Sequence, residues 1–66
     1  MKIFGLTRLG RRVARKGNWD NNEELEMLKY LRRHKTASDD ELEINCGGAW
    51  ALRHLKNKGL VVELTT

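Results

Sequence analysis

The sequence predicts a mainly α-helical domain with a small β-hairpin or two-stranded sheet, and three observations point there. Apolar residues recur at helical spacing in stretches opened by capping residues and closed by glycine or cations. Charge comes in blocks, acids where helices should start and bases where they should end, as the helix dipole favours. Short runs rich in branched and aromatic residues, Ile3-Phe4-Gly5-Leu6 and Leu60-Val61-Val62-Glu63-Leu64, flank the helical stretches. At 66 residues, 39% of them apolar, the chain makes one domain around a single modest core.

Residues 3–6 read as a strand. A helix over 7–16 follows, with Thr7 as N-cap and Gly17 as the terminating residue. Leu6, Leu9 and Val13 share its inward side, while Arg8, Arg11, Arg12 and Arg15 occupy another arc of about 100°. Asp20, with Glu23 three residues on, resembles a capping box that opens a helix over 21–34. Leu25, Met27, Leu28 and Leu31 point inward from it and Tyr30 sits at the edge, so this helix forms the core's floor. Ser38 and Glu41 form a capping box for a short helix over 38–44. Leu42 anchors that helix, and either Ile44 or Cys46 closes the turn after it.

Gly47 and Gly48 supply a tight corner into a helix over 47–58. Gly48, Ala51, Leu52 and Leu55 share its core-facing arc; Trp50, Arg53 and Asn57 lie within about 60° of one another on the opposite side, with His54 at their edge. Gly59 ends this helix. Residues 60–64 then alternate as a strand with Leu60, Val62 and Leu64 inward, and Ile3 to Leu6 is its expected antiparallel partner.

The net charge of +4 conceals an uneven distribution. Residues 1–17 hold Lys2, Arg8, Arg11, Arg12, Arg15 and Lys16 with no acid, which helix-end chemistry alone does not explain. Four arginines on one face of a short helix repel one another unless an anion meets them; a solvated surface is the plainer alternative. No apolar run approaches the ~18 residues needed to span a bilayer. The N-terminus lacks the apolar block of a signal peptide, so a cytoplasmic protein with no membrane partner is expected.

Catalytic and metal chemistry find little support. Asp39, Asp40 and Glu41 occupy a first helical turn with nothing nearby to split their pKa values. His34 and His54 have no neighbouring nucleophile, and Cys46 with His54 lacks metal-ligand spacing. Cys46 is the sole cysteine and reads as a small buried hydrophobe. His34 reads as a charge partner for its helix C-terminus. No enzyme activity, metal or cofactor is expected.

The run from Ala51 to Val61 resembles the recognition helix and following strand of winged-helix DNA-binding domains. Leu52, Leu55, Gly59, Leu60 and Val61 match that family's Leu-x-x-Leu-x-x-x-Gly-Leu-Val pattern. Leu6-Thr7-x-x-Gly10-Arg11 resembles the Leu-Thr-x-x-Gly-Arg run that normally follows the wing; many bacterial and archaeal transcription regulators carry both. Here the second run comes first, and the span from Leu42 to Leu55 is shorter than usual. The expectation is therefore a winged helix-turn-helix with a short or absent wing and a helix 38–44 of little more than one turn.

This resemblance implies double-stranded DNA binding, in the service of transcription regulation, with helix 47–58 in the major groove. Arg53 can bond guanine O6 and N7 in bidentate fashion and Asn57 can read adenine. His54 and Lys56 would touch phosphates or the groove edge. Arg8, Arg11, Arg12 and Arg15 would grip the backbone, and the amides near Gly47 and Gly48 offer a second phosphate seat. Trp50 has three possible destinations: packing over the chain termini, a homodimer or protein partner, or a base or sugar. A protein-interaction or dimerisation module without intrinsic DNA binding is the alternative function.

Overall fold

The computed structural model of the chain describes residues 2–46 and 49–64. Its elements run β1 (Ile3–Leu6), α1 (Arg8–Lys16), α2 (Asn22–His34), β2 (Thr36–Ser38), α3 (Asp39–Cys46), α4 (Ala49–Asn57) and β3 (Val61–Glu63). The molecule is mainly helical, with one antiparallel sheet of three strands in the order β2-β1-β3.

Helices begin where side chains satisfy the free amides of the first turn. Thr7 Oγ1 accepts from the Gly10 amide and Ser38 Oγ from the Glu41 amide, both at 3.1 Å. At α2 the cap is Asn21 instead of Asp20: its Oδ1 accepts from the Glu24 amide at 3.0 Å, one residue later than the sequence suggested. α1 ends on Gly17 at φ 66°, a left-handed position that a residue without Cβ adopts at least cost.

α2 is the floor of the core, with Met27, Leu28 and Leu31 fully buried and α1, α3 and α4 packed against it. Leu25 is only half-buried. Leu42 and Cys46 of α3 and Ala51, Leu52 and Leu55 of α4 complete the helical part. Ile44 is 83% exposed, so Cys46 takes the inward place at the end of α3. Burial there raises the thiol pKa above its ordinary value, and the charges of Glu26 and Glu41 add to the effect. α3 has 8 residues, two turns where the shortened span suggested barely more than one. Gly47 and Gly48 lie outside the described residues, and so do the corner, the core contact and the phosphate seat expected of them.

Two inward faces differ from the sequence reading. In α1, Gly10 and Ala14 face the core while Leu9 is exposed. The cause is a close approach: a Cβ on Gly10 would stand 2.0 Å from the Leu60 carbonyl oxygen. Only glycine lets α1 close on the turn after α4, and turning Gly10 inward rotates Leu9 out. Thr7 secures the same junction, its amide donating to the Leu60 carbonyl at 3.1 Å and its hydroxyl to that of Gly59 at 2.6 Å.

The second difference is the phase of β3. The expected pairing of the chain ends is present, with Phe4 opposite Glu63, Gly5 opposite Val62 and Leu6 opposite Val61. Val61 is buried, however, whereas Val62 and Leu64 are exposed. Leu60 belongs to the preceding turn, where its amide donates to the Leu55 carbonyl at 3.0 Å. The strand therefore starts one residue later than expected, which exchanges its inner and outer faces. β2, absent from the sequence reading, pairs with the other edge of β1 and makes the sheet three-stranded. Among the described residues, no helix is long and apolar enough to cross a membrane.

Candidate nucleic-acid interface

α4 presents two unlike sides. Ala51, Leu52 and Leu55 are buried, while Trp50, Arg53, His54 and Asn57 together line a shallow depression of about 320 Å³ that opens outward. These are the four side chains the sequence grouped on that side. Trp50 is 52% exposed, a large apolar surface with no cover over half its area. Lys56, also expected at this interface, turns toward the sheet, where its Nζ lies 3.6 Å from Glu63 Oε1.

Beneath the depression lies a polar contact that sequence reasoning missed. Glu24, in the first turn of α2, is 2% exposed. His54 Nδ1 lies 2.8 Å and 3.1 Å from its two carboxylate oxygens, and Trp19 Nε1 donates to Oε1 at 3.3 Å. An ionised carboxylate only accepts, so Nδ1 carries the hydrogen and Nε2 is left for an outside partner. Burying a carboxylate is costly unless it is hydrogen-bonded, and here both of its oxygens have partners. The arrangement fixes the ring of His54 and ties α4 to α2. Lys58 Nζ sits 4.8 Å from the Trp19 ring centroid, so the residue just past α4 is engaged within the chain as well.

The arginines of α1 occupy different ground. Arg8, Arg11, Arg12 and Arg15 share a second depression, along the outer side of α1. Arg11 and Arg15 also border a groove of about 590 Å³ with Arg32 and Lys35 from the end of α2, floored by Leu31 and Leu64. A third depression joins Arg15 to Lys29, Arg32 and Arg33. Arg15 is common to all three, which makes one continuous basic track over α1 and the second half of α2. Among the described residues, none of these cations is within ion-pair distance of an acid.

α3 carries no comparable cluster. Its Glu41 accepts a hydrogen bond from the Tyr30 hydroxyl, which raises the phenol pKa above its usual value. His34, expected to serve the α2 C-terminus as a charge, stacks on Tyr30 with ring centroids 4.2 Å apart. Among the described residues, no group of His, Cys, Asp and Glu is placed to hold a metal ion. No protein-family model, curated protein or solved structure matches this chain.

Proposed function

We propose that the protein is a winged-helix-like binder of double-stranded DNA, acting in transcription regulation, that inserts α4 into the major groove. The observation that carries this reading is the outward side of α4, where Arg53 and Asn57 stand beside Trp50 over a helix sealed beneath. Guanidinium and carboxamide groups are the side chains that read guanine and adenine edges in bidentate fashion. His54, braced by Glu24, adds a ring nitrogen at the same surface. Arg8 opens α1 beside the Gly59 and Leu60 junction, within reach of phosphates flanking the groove that α4 would occupy.

Sheet order supports the winged-helix likeness. β1, whose last residue Leu6 opens the Leu6-Thr7-x-x-Gly10-Arg11 run, lies between the strand that precedes α3 and α4 and the strand that follows them. In the resembled family that run comes after the wing. Here the Leu64 amide donates to the Ile3 carbonyl at 2.7 Å, so the last described residues lie against the first strand. Chain order thus differs from the family's, while the strand that leads into the run lies between the other two.

A protein-interaction module on the same fold is the second reading, favoured by the exposure of Ile44 and Trp50. Mobility shift of a random duplex at two salt concentrations separates the two. DNA binding predicts a shift that weakens steeply with salt, and a preferred sequence whose affinity falls on Arg53→Ala. No shift, or one indifferent to salt, favours the interaction module.

A further inference from the structure

We infer that the basic track along α1 and the end of α2 is a second phosphate-backbone site, so that one copy of the chain holds two DNA segments at once. The inference rests on the DNA-binding reading above and extends it to a surface made of different residues. Arg11, Arg15, Arg32 and Lys35 line the track's central groove, and none of them borders the depression on α4.

The two surfaces stand toward opposite ends of α2. Glu24, which meets His54 of α4, is in the first turn of α2, and Arg32 is two turns further along the same helix. At 1.5 Å per residue the two positions are about 12 Å apart along the axis. α1 likewise leaves the α4 junction at Thr7 and carries Arg15 about 12 Å away by the same rise. The track therefore lies away from the side chains of α4 that would read bases.

The chemistry favours a phosphate backbone over a compact anion. The cations extend over three adjoining depressions, as an extended polyanion requires. Most of them are arginines, whose planar fork matches phosphate oxygens. Helix dipoles explain cations in the last turns, Arg15 and Arg32 among them, but not Arg8, Arg11 or Arg12 earlier in α1. Lys35 adds an independent sign. It stands at φ 71° and ψ −50°, the only non-glycine residue with positive φ among those described. Glycine is the relaxed choice there, yet the chain keeps a lysine whose side chain borders the groove.

The test uses the full chain, a biotinylated duplex on beads and a second duplex carrying a fluorophore. Wild type is expected to retain the second duplex on the first, and to release it as salt rises. Combined Arg11→Ala, Arg15→Ala, Arg32→Ala and Lys35→Ala should leave capture by the first duplex intact and cut retention of the second by at least about tenfold. Arg32→Glu alone, at one exposed helical position, should act in the same direction and guards against misfolding of the fourfold variant. The inference is overturned if wild type binds the beads yet never retains the second duplex. It is equally overturned if the groove variants retain that duplex as wild type does, which would trace bridging to dimers, or if poly-aspartate displaces it while longer DNA does not. Failure of the DNA-binding reading looks different: capture by the first duplex would survive Arg53→Ala with Asn57→Ala unchanged.

Discussion

The outward side of α4 and the basic track on α1 and α2 are built from different groups. On and just after α4, three of the four basic side chains are already engaged: His54 with Glu24, Lys56 with Glu63, Lys58 with the Trp19 ring. Arg53 alone has no partner among the described residues. The track is the reverse, a row of arginines and lysines with no acid in ion-pair reach among the described residues. α4 thus joins an indole, a carboxamide and one unpaired guanidinium on a single helix face, whereas the track spreads its cations over two helices. Sequence selectivity and retention of a second duplex should therefore respond to different mutations.

The most severe test of this division strikes the junction that joins the two regions. Gly10→Val places side-chain carbons against the Leu60 carbonyl and should cost about 3 kcal/mol, enough to unfold much of so small a domain. Urea denaturation measures it, and a loss under about 1 kcal/mol would mean the junction is loose. Glu24→Ala strips Trp19 and His54 of their buried acceptor and should lower stability by about 2 kcal/mol. Its effect on DNA should be confined to α4, leaving the salt slope of binding unchanged. Arg53→Ala should weaken a preferred site by about 1–3 kcal/mol and relax its sequence, while Arg12→Ala should leave that preference unchanged and reduce the salt slope of second-duplex retention by about one. Similar behaviour of the two arginine variants would erase the distinction between the regions.

Two smaller effects concern the ends of elements. Lys35→Gly relieves a positive φ and should raise the urea midpoint, by about 1 kcal/mol in stability, while weakening retention of a second duplex. Val61→Ala should cost about 1 kcal/mol and Val62→Ala less than about 0.5 kcal/mol, since only the first is buried. The opposite ranking would restore the strand phase that alternation alone suggests.

Caps and core leucines were legible because they depend on neighbours three or four residues away. Thr7, Ser38, Gly17, Met27, Leu28, Leu31 and Leu55 are placed as their spacing implies. What escaped depends on distant partners. Glu24 looks like any first-turn acid until His54, thirty residues on, and Trp19 close over it. Gly10 looks like a helix weakness until Leu60, from the far end of the chain, arrives against it. Thr36-Ala37-Ser38 becomes a strand only because β1 offers an edge, and β3 shifts phase because Leu60 is held in a turn. The α4 face was readable as a set; the extension of the α1 arginines by Arg32, Arg33 and Lys35 was not, since it arises from helix packing.

Titration of the ¹⁵N-labelled chain with substoichiometric short duplex DNA puts the role of α4 to trial most directly. Shift changes should appear first on the Trp50 indole and on the Arg53 and Asn57 resonances, and reach the track only as duplex is added in excess. A titration in which those three signals stay still while DNA binds elsewhere, or does not bind, would refute it.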